Sequence, residues 1–159
     1  MGDRTYCSFR IHKDNFAKMK AHLGISDDDK VAEHFNAQGT DLDEEGVAKI
    51  YDDQANYGAI EKLSDYLSEH GIEYDKRWES GGDYSAGDEY FRVIDGKHCC
   101  YDLYEGQFDT SVVLKQLLQK AAEGEDLKTL VEAKYNEIVP FEPGPLRPPS
   151  NSKNFITEE

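Results

Sequence analysis

From Thr5 to His12 the chain alternates, with Cys7, Phe9 and Ile11 on one side and Tyr6, Ser8 and Arg10 on the other. A period of two predicts a strand with one buried face, placed at residues 4–12. Phe16, Ala17, Met19 and Leu23 follow at helical spacing, with Asp14 or Asn15 as the cap and Gly24 as the stop. Ser26 ahead of Asp27, Asp28 and Asp29 reads as another helix start, because a side-chain oxygen and early carboxylates satisfy the free N–H groups and the dipole. That short helix ends near Phe35.

The middle of the chain is the most regular. Val47 to Tyr51 predicts a strand at 47–52. Ile60, Leu63, Tyr66 and Leu67 then make an apolar stripe opposite Glu61, Lys62, Asp65 and Glu69, which predicts a helix near 57–70 closed by His70-Gly71. A strand at 72–79 follows, and strand, helix and strand in this order permit a parallel pair with a right-handed crossover. Asp95-Gly96 separates the apolar runs 89–95 and 97–104, the signature of a two-residue hairpin turn. Ser80 to Gly87, rich in Gly, Ser and Asp, lacks the Lys and spacing of a phosphate-binding loop and reads as a long connection.

Two helices are expected to close the domain. Val113, Leu114, Leu117, Leu118 and Ala121 form one wide apolar face after a cap at Asp109 or Thr110, and Gly124 ends that helix. Leu127, Leu130, Val131, Tyr135 and Ile138 line the second, giving a helical hairpin. After Pro140 the composition changes: Pro143, Gly144, Pro145, Pro148 and Pro149 exclude a helix or an inner strand. The expectation is a single α+β domain over 1–140, with a mixed or antiparallel sheet of about five strands covered by helices. Residues 141–159 should form an extended tail that packs little, with Phe141, Leu146, Phe155 and Ile156 as its only apolar anchors.

Charge changes the picture. Thirty-three acidic residues against 18 Lys and Arg give a net charge of −15 on 159 residues. A surface so negative repels nucleic acid and anionic membrane, and attracts cations or basic protein faces. The excess is also clustered: residues 27–53 hold ten acids against Lys30 and Lys49, a local net of −8. No apolar run approaches the roughly 18 residues of a membrane span, and the first residues lack the apolar core of a signal peptide, so a cytoplasmic protein is expected. Three cysteines, Cys7, Cys99 and Cys100, are odd in number and two are adjacent, which fits a reducing compartment rather than a disulfide framework. Met1-Gly2 is not a myristoylation signal, because Tyr6 stands where that motif requires Ser or Thr.

Candidate chemistry is sparse, and no cofactor is expected. Asp41, Asp43, Glu45, Gly46 and Asp52 fall at positions one, three, five, six and twelve of a calcium-loop template. Lys49 at position nine, the short Asp52 at twelve, and a strand pattern where an exiting helix belongs all depart from it. A solvated acidic turn entering a strand is the simpler reading. His98, Cys99 and Cys100 with Cys7 offer soft ligands, yet adjacent strand residues point to opposite faces and no paired ligand motif completes a tetrahedral site. Cys7 and Cys99 are therefore expected in the core. Five scattered histidines accompany no nucleophile, and no Gly-x-Ser-x-Gly, His-Glu-x-x-His or dinucleotide fingerprint occurs, so a catalytic role has no signature to stand on.

In size and charge the chain resembles the small acidic inhibitors that phages and mobile elements use against restriction or CRISPR systems. Tyr57-Gly58 through Leu63, Leu67, Gly71-Ile72 and Tyr74-Asp75 is also similar to a segment of phage and bacterial proteins without an assigned role. The resemblance implies a protein that binds, and inhibits, a basic nucleic-acid-binding protein as a DNA mimic. Duplex DNA carries one negative charge per about 1.7 Å of axis, so carboxylates on a rigid scaffold can occupy the same groove. The expected contact surface is Asp27, Asp28, Asp29, Glu33, Asp41, Asp43, Glu44, Glu45, Asp52 and Asp53. A calcium-binding module using Asp41, Asp43, Glu45 and Asp52, and an enzyme of unrecognised type, are the two alternatives.

Overall fold

A computed structural model describes residues 4–82 and 84–149. Its frame is one six-stranded sheet, built from β1 (Arg4–His12), β2 (Gly39–Leu42), β3 (Val47–Asn56), β4 (Tyr74–Trp78), β5 (Gly87–Ile94) and β6 (Lys97–Tyr104). Spatial order is β2-β3-β1-β4-β5-β6. Every neighbouring pair is antiparallel. Among the described residues five helices accompany it: α1 (Lys13–Leu23), α2 (Asp28–His34), α3 (Glu61–Glu69), α4 (Thr110–Ala122) and α5 (Leu127–Ile138). The fold is α+β.

The alternation read from Thr5 to His12 becomes the central strand. Cys7, Phe9 and Ile11 are fully buried, and Phe9 lies opposite Ile50 of β3. Directly opposed residues share a face in an antiparallel pair, so Ala48 and Ile50 join the same core layer. Phe16 and Met19 of α1, Val31 of α2, and Leu63 and Leu67 of α3 cover that layer from above. Ile60, Leu63 and Leu67 are buried as the stripe requires. The helix itself starts later than its pattern, at Glu61, because Tyr57 and Gly58 adopt positive φ.

The strand–helix–strand segment does not give an adjacent parallel pair. β3 and β4 both run antiparallel to β1 and therefore parallel to each other, but β1 lies between them. The hydrogen-bonding edges of both are taken by a strand from earlier in the chain, which no local pattern reveals. The sequence also hides β2, only four residues long. Asp95 and Gly96 turn the β5–β6 hairpin with φ of 51° and 77°, the two positive values a type I′ turn requires.

Cap assignments shift by small steps. His12 Nδ1 accepts from Asp14 N–H at the start of α1, while Asn15 is buried and donates to the Arg147 carbonyl. Asp27, not Ser26, caps α2, and Asp109 caps α4.

Two larger differences concern the C-terminal third. First, α4 and α5 pack on each other and have no buried residue, so they form an arm rather than a lid on the core. Second, residues 141–149 have no regular structure, as proline content dictates, yet they are tied to the sheet. Arg92 of β5, 1% exposed, donates from Nε to the Pro143 carbonyl at 2.9 Å and from Nη2 to the Gly144 carbonyl at 3.0 Å. Its Nη1 donates to the Tyr74 and Phe91 carbonyls, and Nη2 is ion-paired with the Asp75 carboxylate at 2.7 Å. Arg147 forks onto the buried Glu73 carboxylate, and the Phe141 ring sits edge-on to Tyr101 at 4.8 Å. The expectation of a loosely packed tail is corrected for this stretch: a buried guanidinium needs acceptors, and the proline-rich segment offers carbonyls without competing N–H groups. Residues 150–159, with Phe155 and Ile156, lie outside the described residues.

Candidate functional site

The acidic segment folds into one edge of the molecule. Asp27 to Asp29 form the N-terminal turn of α2, and α2 lies against the edge strand β2, where Thr40 Oγ1 donates to the Asp28 carbonyl at 3.0 Å. Strands β2 and β3 make a hairpin whose turn, Asp43 to Gly46, carries Glu44 and Glu45 at its tip. Gly46 accepts the φ of 91° that the turn demands, and its carbonyl receives Lys13 N–H, fastening the tip to the start of α1.

The ten expected residues divide by what their carboxylates touch. Asp28 is ion-paired with Lys20 at 2.6 Å, Glu33 with Lys30 at 3.5 Å and Asp41 with Lys49 at 3.7 Å. Asp27, Asp43 and Asp52 accept backbone N–H groups and so hold local structure: Asp27 from Asp29, Asp43 from Glu45 and Val47, Asp52 from Gln54. Asp29, Glu44, Glu45 and Asp53 are exposed and their carboxylates have no ion pair or hydrogen bond among the described residues. Asp52 stands apart from the others. It is half-buried and lines a polar groove of about 390 Å³ together with Arg4, Gln54, Asn56 and Lys62, so it shares its surroundings with two cations.

This geometry bears directly on the calcium template. Its twelve residues form a β-hairpin: Asp41 pairs across the ladder with Lys49, Asp43 is occupied by two backbone donors, and Asp52 lies well along β3. No three of Asp41, Asp43, Glu45 and Asp52 bring ligand atoms within 4.8 Å of one another. A calcium loop wraps its oxygens around a point, whereas a ladder spreads them along two lines.

The cysteines also sort differently from the expectation. Cys7 is in the core and burial pushes its thiol up to about 11. Cys100, opposite Phe91, lies on the core-side face, and Cys99, opposite Arg92, on the other, which reverses the assignment of Cys99. Cys100 is nevertheless exposed.

One cluster on this face was not singled out from the sequence. Glu89, Cys100 and Asp102 place their ligand atoms within 4.8 Å of one another. Asp102 is pushed up to about 6 by desolvation and then by its hydrogen bond to Glu89, and the Glu89 carboxylate also accepts from the Tyr74 hydroxyl. Desolvation, with the charges of Glu89 and Asp102, raises the Cys100 thiol to about 11, which keeps it protonated and a poor nucleophile at neutral pH. The signal was present: a two-residue turn at Asp95-Gly96 fixes the register and sets Glu89 directly opposite Asp102. The perturbed carboxyl and the polar groove lie on opposite sides of the sheet order, near β6 and β3 respectively, so acid–base chemistry and concavity do not coincide. Comparison of the chain with known family models, curated proteins and solved structures finds no match.

Proposed function

We propose that this protein is an acidic binding protein whose edge of α2 and the β2–β3 hairpin docks on a basic protein surface. Where that surface is a nucleic-acid-binding groove, the carboxylates stand in for phosphates and keep the nucleic acid out, which is the behaviour of an anti-restriction or anti-CRISPR inhibitor of phage type. The observation that carries the reading is the placement of exposed Asp29, Glu44, Glu45 and Asp53, without internal counter-charges, on elements fastened to one rigid sheet edge. Glu44 and Glu45, adjacent at the hairpin tip, act together within a Debye length of about 8 Å at physiological ionic strength, and Asp29 and Asp53 extend the negative surface, which speeds encounter with a basic face.

The test is capture from a host lysate at low and high salt, followed by association kinetics with what is retained. Changing Asp29 and Asp53 to Asn and Glu44 and Glu45 to Gln should slow association and flatten its salt dependence. The same variant should keep the wild-type melting temperature, because exposed charges contribute little to stability. Unaltered kinetics would remove this edge from the interface and direct attention to the tyrosines of the sheet, Tyr90 and Tyr101, whose rings lie 5.2 Å apart.

A further inference from the structure

The arm formed by α4 and α5 has one side that the molecule leaves uncovered. Val113 and Leu117 of α4 and Leu130 and Lys134 of α5 line the seam between the helices. Gln116, Lys120, Ala133 and Glu137 open on one side of that seam. At about 100° per residue, Leu114 and Leu118 of α4 and Val131 and Tyr135 of α5 fall on the other side. These four are 47% to 66% exposed, and Leu127 extends the stripe at 49%. Tyr135 is held in place by the hydrogen bond from its hydroxyl to the Glu142 carboxylate.

We propose that this face is a self-association surface, on which the α4–α5 hairpin of a second copy packs to form a four-helix bundle. Charge selects the occupant. Residues 110–138 hold four Lys against five acidic residues, a net of −1, whereas the rest of the chain carries −14. Two copies of so acidic a protein repel over most of their surface, and this apolar face lies on a long segment that is near-neutral. A basic partner gains nothing there, because its attraction is to the acidic edge. A two-fold pairing of one patch with itself is also the commonest arrangement for identical chains.

Size sets the strength. Helices of 13 and 12 residues are about 20 Å long, and two of them set 8–10 Å apart present a face of roughly 20 by 20 Å. Two such faces bury roughly 800 Å² in total, the size of a weak and transient interface, so the dimer is reversible. Position matters too. The arm follows β6 and the acidic edge includes β2, at opposite ends of a six-stranded sheet and about 24 Å apart in strand spacings. A dimer through the arm therefore leaves both acidic edges free and makes the molecule bivalent.

Sedimentation equilibrium of the full chain in reductant, from about 5 μM to about 500 μM, reads the equilibrium without any partner. The expected result is a monomer–dimer transition that tightens as NaCl rises from about 50 mM to about 500 mM, because salt screens repulsion between the acidic bodies. This is the opposite of the salt response expected for the acidic edge. The pair Leu114→Glu and Leu118→Glu should weaken the dimer at least tenfold, with an unchanged near-ultraviolet circular dichroism spectrum. Val131→Lys, on the other helix of the same face, should do likewise and guards against a local folding defect. A wild-type chain that stays monomeric over the whole range overturns the proposal and assigns the face to a different protein. A dimer that survives all three substitutions overturns it as well. The monomeric variant retains its acidic edge, so loss of the dimer and loss of partner capture are separate outcomes.

Discussion

Truncation after Glu142 should destabilise the protein substantially, although it removes no helix or strand among the described residues. The loss falls on two buried charges. Arg92 forfeits the Pro143 and Gly144 carbonyls, at 2.9 Å and 3.0 Å, and keeps Asp75, Tyr74 and Phe91 as partners. Glu73, whose side chain is 7% exposed, forfeits Arg147 and keeps, among the described residues, the Val93 N–H. Hydrogen bonds to charged groups contribute about 1.5–3 kcal/mol each, and removing one partner of a buried pair costs about 3–5 kcal/mol. Arg147 is 55% exposed, and water enters once the segment is gone, so the sum is discounted to a net loss of about 2–4 kcal/mol. For a chain of this length each kcal/mol moves the melting temperature by about 2–4 °C, which gives a fall of roughly 5–15 °C. Scanning calorimetry and urea denaturation of the truncated and full chains measure it. Arg147→Met in the full chain should reproduce about half of the loss, because the backbone contacts of Pro143 and Gly144 remain. A truncated chain that melts within about 1 °C of the full one would refute the view that this segment is part of the fold.

Other expectations follow from single positions. Leu63→Ala, fully buried between α3 and the sheet, should cost about 2–5 kcal/mol in urea denaturation. Gly87→Ala should cost about 1–3 kcal/mol, since a methyl there would lie 2.5 Å from the Trp78 ring and 2.8 Å from the Leu103 carbonyl oxygen, a backbone atom that does not yield. Asp102 has a raised folded-state pKa of about 6 against 3.8 when unfolded, so the folded chain holds the proton over that interval and stability falls as pH rises through it. Because Asp102 is exposed, solvent screening discounts the effect: Asp102→Asn should raise the melting temperature at neutral pH by about 1–2 °C and flatten its decline between about pH 4 and pH 7. An equally steep decline in the variant would assign the effect to other groups.

Elements whose local pattern and tertiary role agree were legible in the sequence. Cys7, Phe9 and Ile11 alternate because β1 is central and one face is covered, and the observed strand has the bounds the alternation predicts. Asp95-Gly96 needs only its own backbone to form its turn. Three features were not legible, each for a reason outside its own segment. Gly39 to Leu42 has no alternation to detect, since Leu42 points to solvent at an edge. The apolar faces of α4 and α5 look like core faces, and nothing local distinguishes a face that meets the sheet from one that meets solvent. Arg92 carries no sign that it is buried; only the fold brings Asp75 and the Pro143 and Gly144 carbonyls around it. For the candidate site, the clustering of acids was plain in the sequence, but their division into paired, structural and free carboxylates depends on Lys20, Lys49 and the hairpin turn.

The claim that the acidic edge is the functional surface is tested most directly by parallel capture. Wild-type chain and the variant with Asp29→Asn, Asp53→Asn, Glu44→Gln and Glu45→Gln are immobilised, exposed to the same nuclease-treated host lysate, and eluted with a salt gradient. The account predicts a basic nucleic-acid-binding protein held by the wild type, released by salt, displaced by added duplex DNA, and absent or released at distinctly lower salt from the variant. Retention of the same protein by both chains with identical salt elution would contradict it.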